Sequence, residues 1–325
     1  MSTPFNVMRS VFLDYSTVSV GDLDPQALQA AAPNLVLREA TSQADVADAI
    51  AGCEIVLLNK LRMTREIIAG SNSLKLIALA ATGTNNIDLE AARDHGVAVC
   101  NIRDYCTPSV TQHVLGVLLA LTHRLADYSR DATDGTWASS PHFTILRHPI
   151  RELGGRTLGV VGWGVLGKAV ARACESALGM QVIVADRPGA PHVEGRVPLD
   201  ELLTRADVVT LHCPVNELTT GMIGRRELAL MKSDAVLINT ARGALIDVAA
   251  LADALRARRL GGAAIDVLPQ EPPVDGSPLF ADDLPNLLVT PHTAWAARES
   301  RQRCLDSMAE NVHSFLEGGR LMRVV

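Results

Sequence analysis

Residues 157–186 read TLGVVGWGVLGKAVARACESALGMQVIVAD, and this stretch decides the fold. An apolar β-branched run ends at Gly162, a helical run opens after Gly164, and a second β-branched run, QVIVA, follows. That is a strand–turn–helix–strand unit. Inside the turn, Gly162-Trp163-Gly164-Val165-Leu166-Gly167 fits the spacing G-x-G-x-x-G. The first glycine allows the tight turn, Gly164 lets backbone approach a pyrophosphate, and Gly167 lets the helix pack closely on the strand. The second strand ends in Asp186, about 20 residues beyond the glycines, where a carboxylate accepts hydrogen bonds from an adenosine ribose. Asp186 favours NAD over NADP. The neighbouring Arg187 suits a 2′-phosphate, which Asp186 repels. Lys168 reads as a solvated first-turn residue, because the spacing is not that of a P-loop.

Outward from this unit the same rhythm repeats. On the carboxyl side the strands DVVTLHCP, AVLINTARG, GAAIDV and NLLVTPH follow, with helices between most of them, which predicts a doubly wound sheet. On the amino side SVFLD, NLVLRE, EIVLLN, LKLIALA and VAVCN alternate with short helices, one near Pro25–Ala31 and one opened by the cap candidates Asn86 and Asp88. Five more strands form a second parallel sheet. Between the two series, one long helix is predicted from Thr107-Pro108 toward Arg130. The irregular stretch DGTWASSPHFTILRHP after it reads as an ordered arm. After His292 the chain is helical again over 296–316.

At 325 residues the chain is long enough for two cores. A formal net charge of −6 and no long basic block argue against nucleic acid or an acidic lipid surface as partner. Cys53, Cys100, Cys106, Cys174, Cys213 and Cys304 show no C-x-x-C pairing and read as reduced thiols. The amino-terminal MSTPFNVMRSVFLDYS lacks the pattern of an export signal, and no apolar run is long enough to cross a bilayer, so a cytoplasmic location without membrane attachment is expected.

In open α/β sheets ligands sit beyond the carboxyl ends of the strands. Arg242, Asp266, Glu271 and His292 all follow strands at that edge. Hydride addition to a ketone builds negative charge on oxygen, so such a site needs a cation and a proton donor. Arg242 can hold a substrate carboxylate and polarise the carbonyl, an effect often worth ~10²–10³ in rate. His292 can be the acid/base, held in one tautomer by Glu271. Asp266 is placed to meet a nicotinamide carboxamide. Among the other histidines, His212 follows a strand but has no evident carboxylate partner, and His113 on the long helix reads as packing or an interdomain contact. No Cys/His spacing suggests a metal.

At these residues the chain resembles the D-isomer-specific 2-hydroxyacid dehydrogenases over nearly its whole length. GVVGWGVLG, INTARG, DVLPQEPP and TPHTAW stand in that family's order and carry Arg242, Asp266, Glu271 and His292. The resemblance implies two Rossmann-like doubly wound domains with the active site in the interdomain cleft. Residues 1–103, completed by 295–325, form the discontinuous substrate-binding domain, and 104–294 form the NAD-binding domain. It implies a cofactor set of Gly162, Gly164, Val165, Leu166, Gly167, Asp186, Cys213, Pro214, Thr240 and Asp266. It implies a substrate set of Asn59 and Lys60, the loop Thr82, Gly83 and Thr84, Arg242 and Trp295. It also implies a homodimer, and Trp137 of the arm reads either as reaching the neighbouring subunit's active site, as an equivalent aromatic does in related glyoxylate and hydroxypyruvate reductases, or as ordinary arm packing.

Within the family, LLNK, ATGTNNID, LPQEPP and HTAW look nearest to the branch that reduces hydroxypyruvate and glyoxylate with NADH. Formate-oxidising relatives carry Gln where Glu271 stands. Thr111-Gln112 departs from the Ala-Glu common in the family's long helix. The same fold also serves as an NAD-sensing corepressor, and that interaction role is the competing reading.

Overall fold

The computed structural model describes residues 8–325; part of the amino-terminal stretch read above lies outside the described residues. The chain divides into two compact units, one made of the described residues through Cys106 with Trp295–Val325, the other of Thr107–Ala294.

The first unit holds a five-stranded parallel sheet of β1 (Ser10–Phe12), β2 (Leu35–Leu37), β3 (Ile55–Leu58), β4 (Leu76–Leu79) and β5 (Ala98–Cys100), in the order β2-β1-β3-β4-β5. Its helices are α1 (Gln26–Ala31), α2 (Val46–Ala49), α3 (Arg65–Ala69), α4 (Leu89–Asp94) and, from the end of the chain, α11 (Arg298–Leu316). Strand side chains alternate between faces, and the core is sorted accordingly. Phe12, Ile55, Leu57 and Leu76 pack with Leu305 and Met308 of α11, while Val11, Val56, Leu58 and Ile77 pack with Ile68 and Ala91 on the other face. Asp88 caps α4 by accepting the Ala91 N–H at 2.7 Å. Asn86, the other cap candidate, instead donates to the carbonyls of Asn59 and Leu61.

The second unit holds a six-stranded parallel sheet of β6 (Thr157–Val161), β7 (Gln181–Val184), β8 (Val208–Leu211), β9 (Val236–Asn239), β10 (Gly262–Ile265) and β11 (Leu287–Val289), in the order β11-β10-β9-β8-β6-β7. Its helices are α5 (Thr107–Thr122), α6 (Leu125–Thr133), α7 (Val165–Leu178), α8 (Leu199–Arg205), α9 (Arg225–Leu230) and α10 (Val248–Arg256). The expected class, two parallel-sheet α/β domains, is the observed one.

The helix expected to run unbroken toward Arg130 is two helices. Arg124 takes a left-handed conformation with φ 53°, and its guanidinium turns onto Asp127 in the first turn of α6. The arm after α6 has no regular element before β6. It is tied down by Tyr128, whose hydroxyl donates to the His148 carbonyl at 2.7 Å, and by Asp131, whose carboxylate meets the His148 imidazole at 3.1 Å. No described helix is long and apolar enough to cross a membrane.

Candidate active site

The glycine turn is built as its spacing requires. Gly162 has φ +104°, and a side chain there would lie 2.5 Å from the His212 carbonyl. A Cβ at Gly167 would collide with the Gly162 carbonyl oxygen, whereas one at Gly164 would meet open space. Gly164 caps α7 with no side-chain capping bond, so the first-turn amides of this 14-residue helix, which begin at Val165 and Leu166, are left for an anion.

Asp186 follows β7. Its Oδ2 lies 2.8 Å from His192 Nδ1, and its Oδ1 accepts the Val193 N–H. The His192 bond holds the Asp186 carboxyl below the ordinary carboxylate range. Thr240 follows β9, and its Oγ1 is buried with no protein partner. Pro214 accepts the Thr219 hydroxyl at 2.8 Å, and Cys213 Sγ lies 3.8 Å from Met222 Sδ, which fixes the loop after β8. An uncapped helix terminus behind an obligatory glycine turn, a strand-end carboxylate and an orphaned strand-end hydroxyl together fit a dinucleotide such as NAD.

The second group of strand ends carries the residues expected to do acid/base chemistry. His292 sits in the left-handed region at φ 55°. Its N–H is bonded to the carbonyls of Asp266, at 2.8 Å, and Thr290. Its imidazole Nδ1 lies 2.7 Å from Glu271 Oε2, and Glu271 Oε1 accepts the Leu268 N–H at 2.8 Å. The pair is partly solvated, with side-chain exposures of 29% and 34%. Engagement of Nδ1 by the carboxylate fixes the orientation of the ring and favours the tautomer with its proton on Nδ1.

Asp266, expected at the nicotinamide, is buried beneath this turn. Its Oδ1 accepts the Thr290 hydroxyl at 2.5 Å and the Thr293 N–H, and its Oδ2 accepts the Ala294 N–H. The carboxylate thus anchors the segment that carries His292. Arg242 precedes Gly243, where an added Cβ would collide with the Leu268 carbonyl group. The Arg242 guanidinium donates to its neighbour's carbonyl, Ala241 O, at 2.6 Å, and among the described residues it enters no ion pair. Its charge is therefore available to an anion.

In the first unit, Asn59 is buried at the end of β3 and donates through Nδ2 to Thr17 Oγ1. The main-chain amides of Asn59 and Lys60 both donate to the Asp14 carboxylate. Thr82 presents its carbonyl to Asn101 Nδ2 at 2.7 Å, and the Asn101 carbonyl in turn accepts from Asn311 Nδ2 of α11. The Thr84 carbonyl accepts the Ile87 N–H at 3.0 Å, closing the turn that follows Gly83. Trp295 packs edge-to-face on Tyr105, with ring centroids 6.3 Å apart. In the arm, Trp137 donates its indole N–H to the Phe143 carbonyl and is half exposed.

The other histidines separate clearly. His212 Nε2 lies 2.9 Å from Thr210 Oγ1, its Nδ1 is enclosed without a partner, and burial pushes its pKa down to about 4. That makes it a neutral histidine with no carboxylate. His113 Nε2 lies 3.4 Å from Thr290 Oγ1 and 3.9 Å from Asp266 Oδ1, behind the His292 turn and within the second unit. Around these groups, sequence reasoning did not single out Thr290, His192 or Asp14, and it read His113 only as packing or an interdomain contact. For Thr290 a signal existed, because it lies two residues before His292. Among the described residues no cluster of three or more metal-ligating side chains occurs, and all six cysteines are free thiols.

Residues 115–294 match the family model for the D-isomer specific 2-hydroxyacid dehydrogenase, NAD binding domain. Glycerate dehydrogenase of Methylorubrum extorquens is 43% identical over 274 residues, covering 84% of this chain and 86% of that one. Hydroxypyruvate reductase of Blautia hydrogenotrophica is 34% identical over 317 residues, covering 96% and 98%. Among solved structures, a Thermus thermophilus protein superposes with a TM-score of 0.85 at 34% identity, covering 98% of this chain and 100% of the other. The chain therefore belongs to the D-isomer specific 2-hydroxyacid dehydrogenase family and is one of its NAD-dependent oxidoreductases.

Proposed function

We propose that the chain reduces hydroxypyruvate to D-glycerate with NADH, and that it also accepts glyoxylate. The observation that carries the reading is the 2.7 Å contact between His292 Nδ1 and Glu271, set on a turn anchored by a buried carboxylate. Bound NADH supplies the hydride for C2 of the keto acid. His292 gives the proton to the keto oxygen from Nε2, and Glu271 holds the ring and balances the imidazolium charge. Arg242 attracts the substrate carboxylate and stabilises charge building on the carbonyl oxygen. Asn59, Lys60 and the Thr82-Gly83-Thr84 loop receive the carboxylate end, and Trp295 forms part of the pocket wall. Gly162, Gly164, Val165, Leu166 and Gly167 hold the pyrophosphate, Asp186 holds the adenosine ribose, and Cys213, Pro214 and Thr240 complete the cofactor contacts. Asp266 supports both the nicotinamide end and the His292 turn. The two relatives named above, a glycerate dehydrogenase and a hydroxypyruvate reductase, support this substrate choice.

The enzyme acts in the cytoplasm as a homodimer. Support for self-association comes from the arm, where Trp137, Phe143, Leu146 and Ile150 are all exposed apolar side chains on one irregular segment. Initial rates with hydroxypyruvate, glyoxylate and pyruvate, each with NADH and with NADPH, test the assignment. Fast NADH oxidation with hydroxypyruvate is expected. Tight NADH binding with no turnover on any of the three would favour a nucleotide-sensing role instead.

A further inference from the structure

Asp14 stands two residues past β1 and is 5% exposed. A buried carboxylate is unfavourable unless its oxygens are fully engaged by donors. Here they are engaged by one short stretch of main chain. Oδ1 accepts the Asn59 N–H at 2.8 Å, and Oδ2 accepts the Lys60 N–H at 2.7 Å and the Leu61 N–H at 3.4 Å. From its carbonyl side the same stretch is held by Asn86, whose Nδ2 donates to Asn59 O at 3.2 Å and Leu61 O at 2.8 Å. The Asn59 side chain is held as well, through Thr17 Oγ1, which itself donates to the Asp14 carbonyl at 2.7 Å. The main chain of this turn is thus gripped on both its amide and its carbonyl side from within the first unit.

Only a carboxylate suits this position. Both Asp14 oxygens face N–H donors, so an amide would present its own NH₂ to one of them. A strand end that needed only solubility or a turn would not require two acceptors aimed at consecutive amides. We propose that Asp14 is a positioning residue for the substrate: it fixes the main chain of Asn59–Leu61 so that Asn59 and Lys60 meet the carboxylate end of the 2-keto acid. This rests on the substrate-binding reading of Asn59 and Lys60 given above. Displacement of binding groups by a fraction of their size is enough to weaken a small anionic substrate while leaving the dinucleotide untouched.

Steady-state kinetics with hydroxypyruvate and NADH on the full chain test the idea in Asp14→Asn, Asn86→Ala, Asn59→Ala, Lys60→Ala and the Asp14→Asn/Lys60→Ala pair, with NADH binding followed by fluorescence titration. Asp14→Asn is expected to raise the hydroxypyruvate KM by ~10–100-fold with NADH affinity unchanged. The pair is expected to be no worse than the weaker-binding single variant by more than ~2-fold, because both changes disable one device. An unchanged KM in Asp14→Asn, or fully additive effects in the pair, overturns the proposal. If Asn59→Ala and Lys60→Ala leave KM unchanged, the substrate reading itself fails and the proposal falls with it. Should Asp14→Asn not fold, Asn86→Ala loosens the same three residues without disturbing a buried charge. A raised KM with intact NADH binding is expected there, and an unchanged KM decides against Asp14.

Discussion

His292 occupies a left-handed conformation that costs a non-glycine residue about 1–2 kcal/mol. It is held there by its own N–H on the Asp266 carbonyl and by the Asp266 carboxylate gripping Thr290, Thr293 and Ala294. In this conformation Nδ1 faces Glu271 at 2.7 Å, the pairing on which the proposed acid/base role rests. His292→Gln is therefore expected to lower kcat by ~10²–10⁴, the range for a lost general acid, with NADH binding retained. Near-normal turnover would remove His292 from the mechanism. Asp186 is a different kind of residue, since in the proposed reading its charge acts on the cofactor and not on the reacting carbon. It is kept ionised by the His192 bond and oriented by the Val193 amide. Asp186→Ala is expected to weaken NADH by ~10-fold, the loss of one hydrogen bond to a charged acceptor, and to narrow the preference over NADPH. An unaltered NADH to NADPH ratio of kcat/KM would show that selectivity lies elsewhere.

The element that most constrains the molecule is the β6–α7 turn, where each glycine meets a different demand. Gly167 is packed on the Gly162 carbonyl, while Gly164 borders open space. Gly167→Ala is expected to cost about 1–3 kcal/mol by overpacking and to lower Tm by several degrees in calorimetry. Gly164→Ala should leave Tm in place yet weaken NADH, because in the proposed cofactor site the added methyl stands where backbone approaches the pyrophosphate. Equal Tm losses in the two variants would mean that the turn is only structural. This turn was legible in the sequence because buried parallel strands are continuous apolar runs and the glycines between strand and helix have few other uses. The His292 and Glu271 pairing was legible for a similar reason, as both follow strands at one edge of one sheet. The break at Arg124 was not, since His123-Arg124 contains no glycine or proline and the left-handed residue is stabilised by a side-chain contact to Asp127. Asp14 and His113 were invisible because their partners lie 45 and 177 positions away in the chain, beyond any local pattern. Helix and strand periodicity reports burial, and says nothing about which distant polar group a buried carboxylate will meet.

Taken as a molecule of two cores, the chain carries a different acid-sensitive group in each unit. In the first, Asp22 accepts two bonds from the Arg301 guanidinium, which also binds the Val18 and Ala296 carbonyls, and this holds the Asp22 carboxyl far below the usual range. Its contribution is present above the unfolded carboxylate pKa and is lost only as pH falls through the much lower folded value. In the second, His212 is enclosed as a neutral ring, with its pKa lowered by burial to about 4, against ~6.5 in an unfolded chain. Between those values the unfolded state takes up a proton that the folded state refuses, so stability falls with pH, by on the order of 3 kcal/mol across the interval. The second unit should therefore begin to lose stability at milder acidity than the link between Asp22 and Arg301 in the first. The three tryptophans make the two events separable, because Trp137 and Trp163 belong to the second unit and Trp295 to the first. In acid titrations by fluorescence, the Trp295→Phe variant, reporting the second unit, is expected to unfold at a higher pH than Trp137→Phe/Trp163→Phe, reporting the first. His212→Asn added to each should move the first of these midpoints toward lower pH and leave the other where it was. Coincident midpoints that both ignore the His212 change would mean that the buried imidazole does not set the acid limit of the second unit.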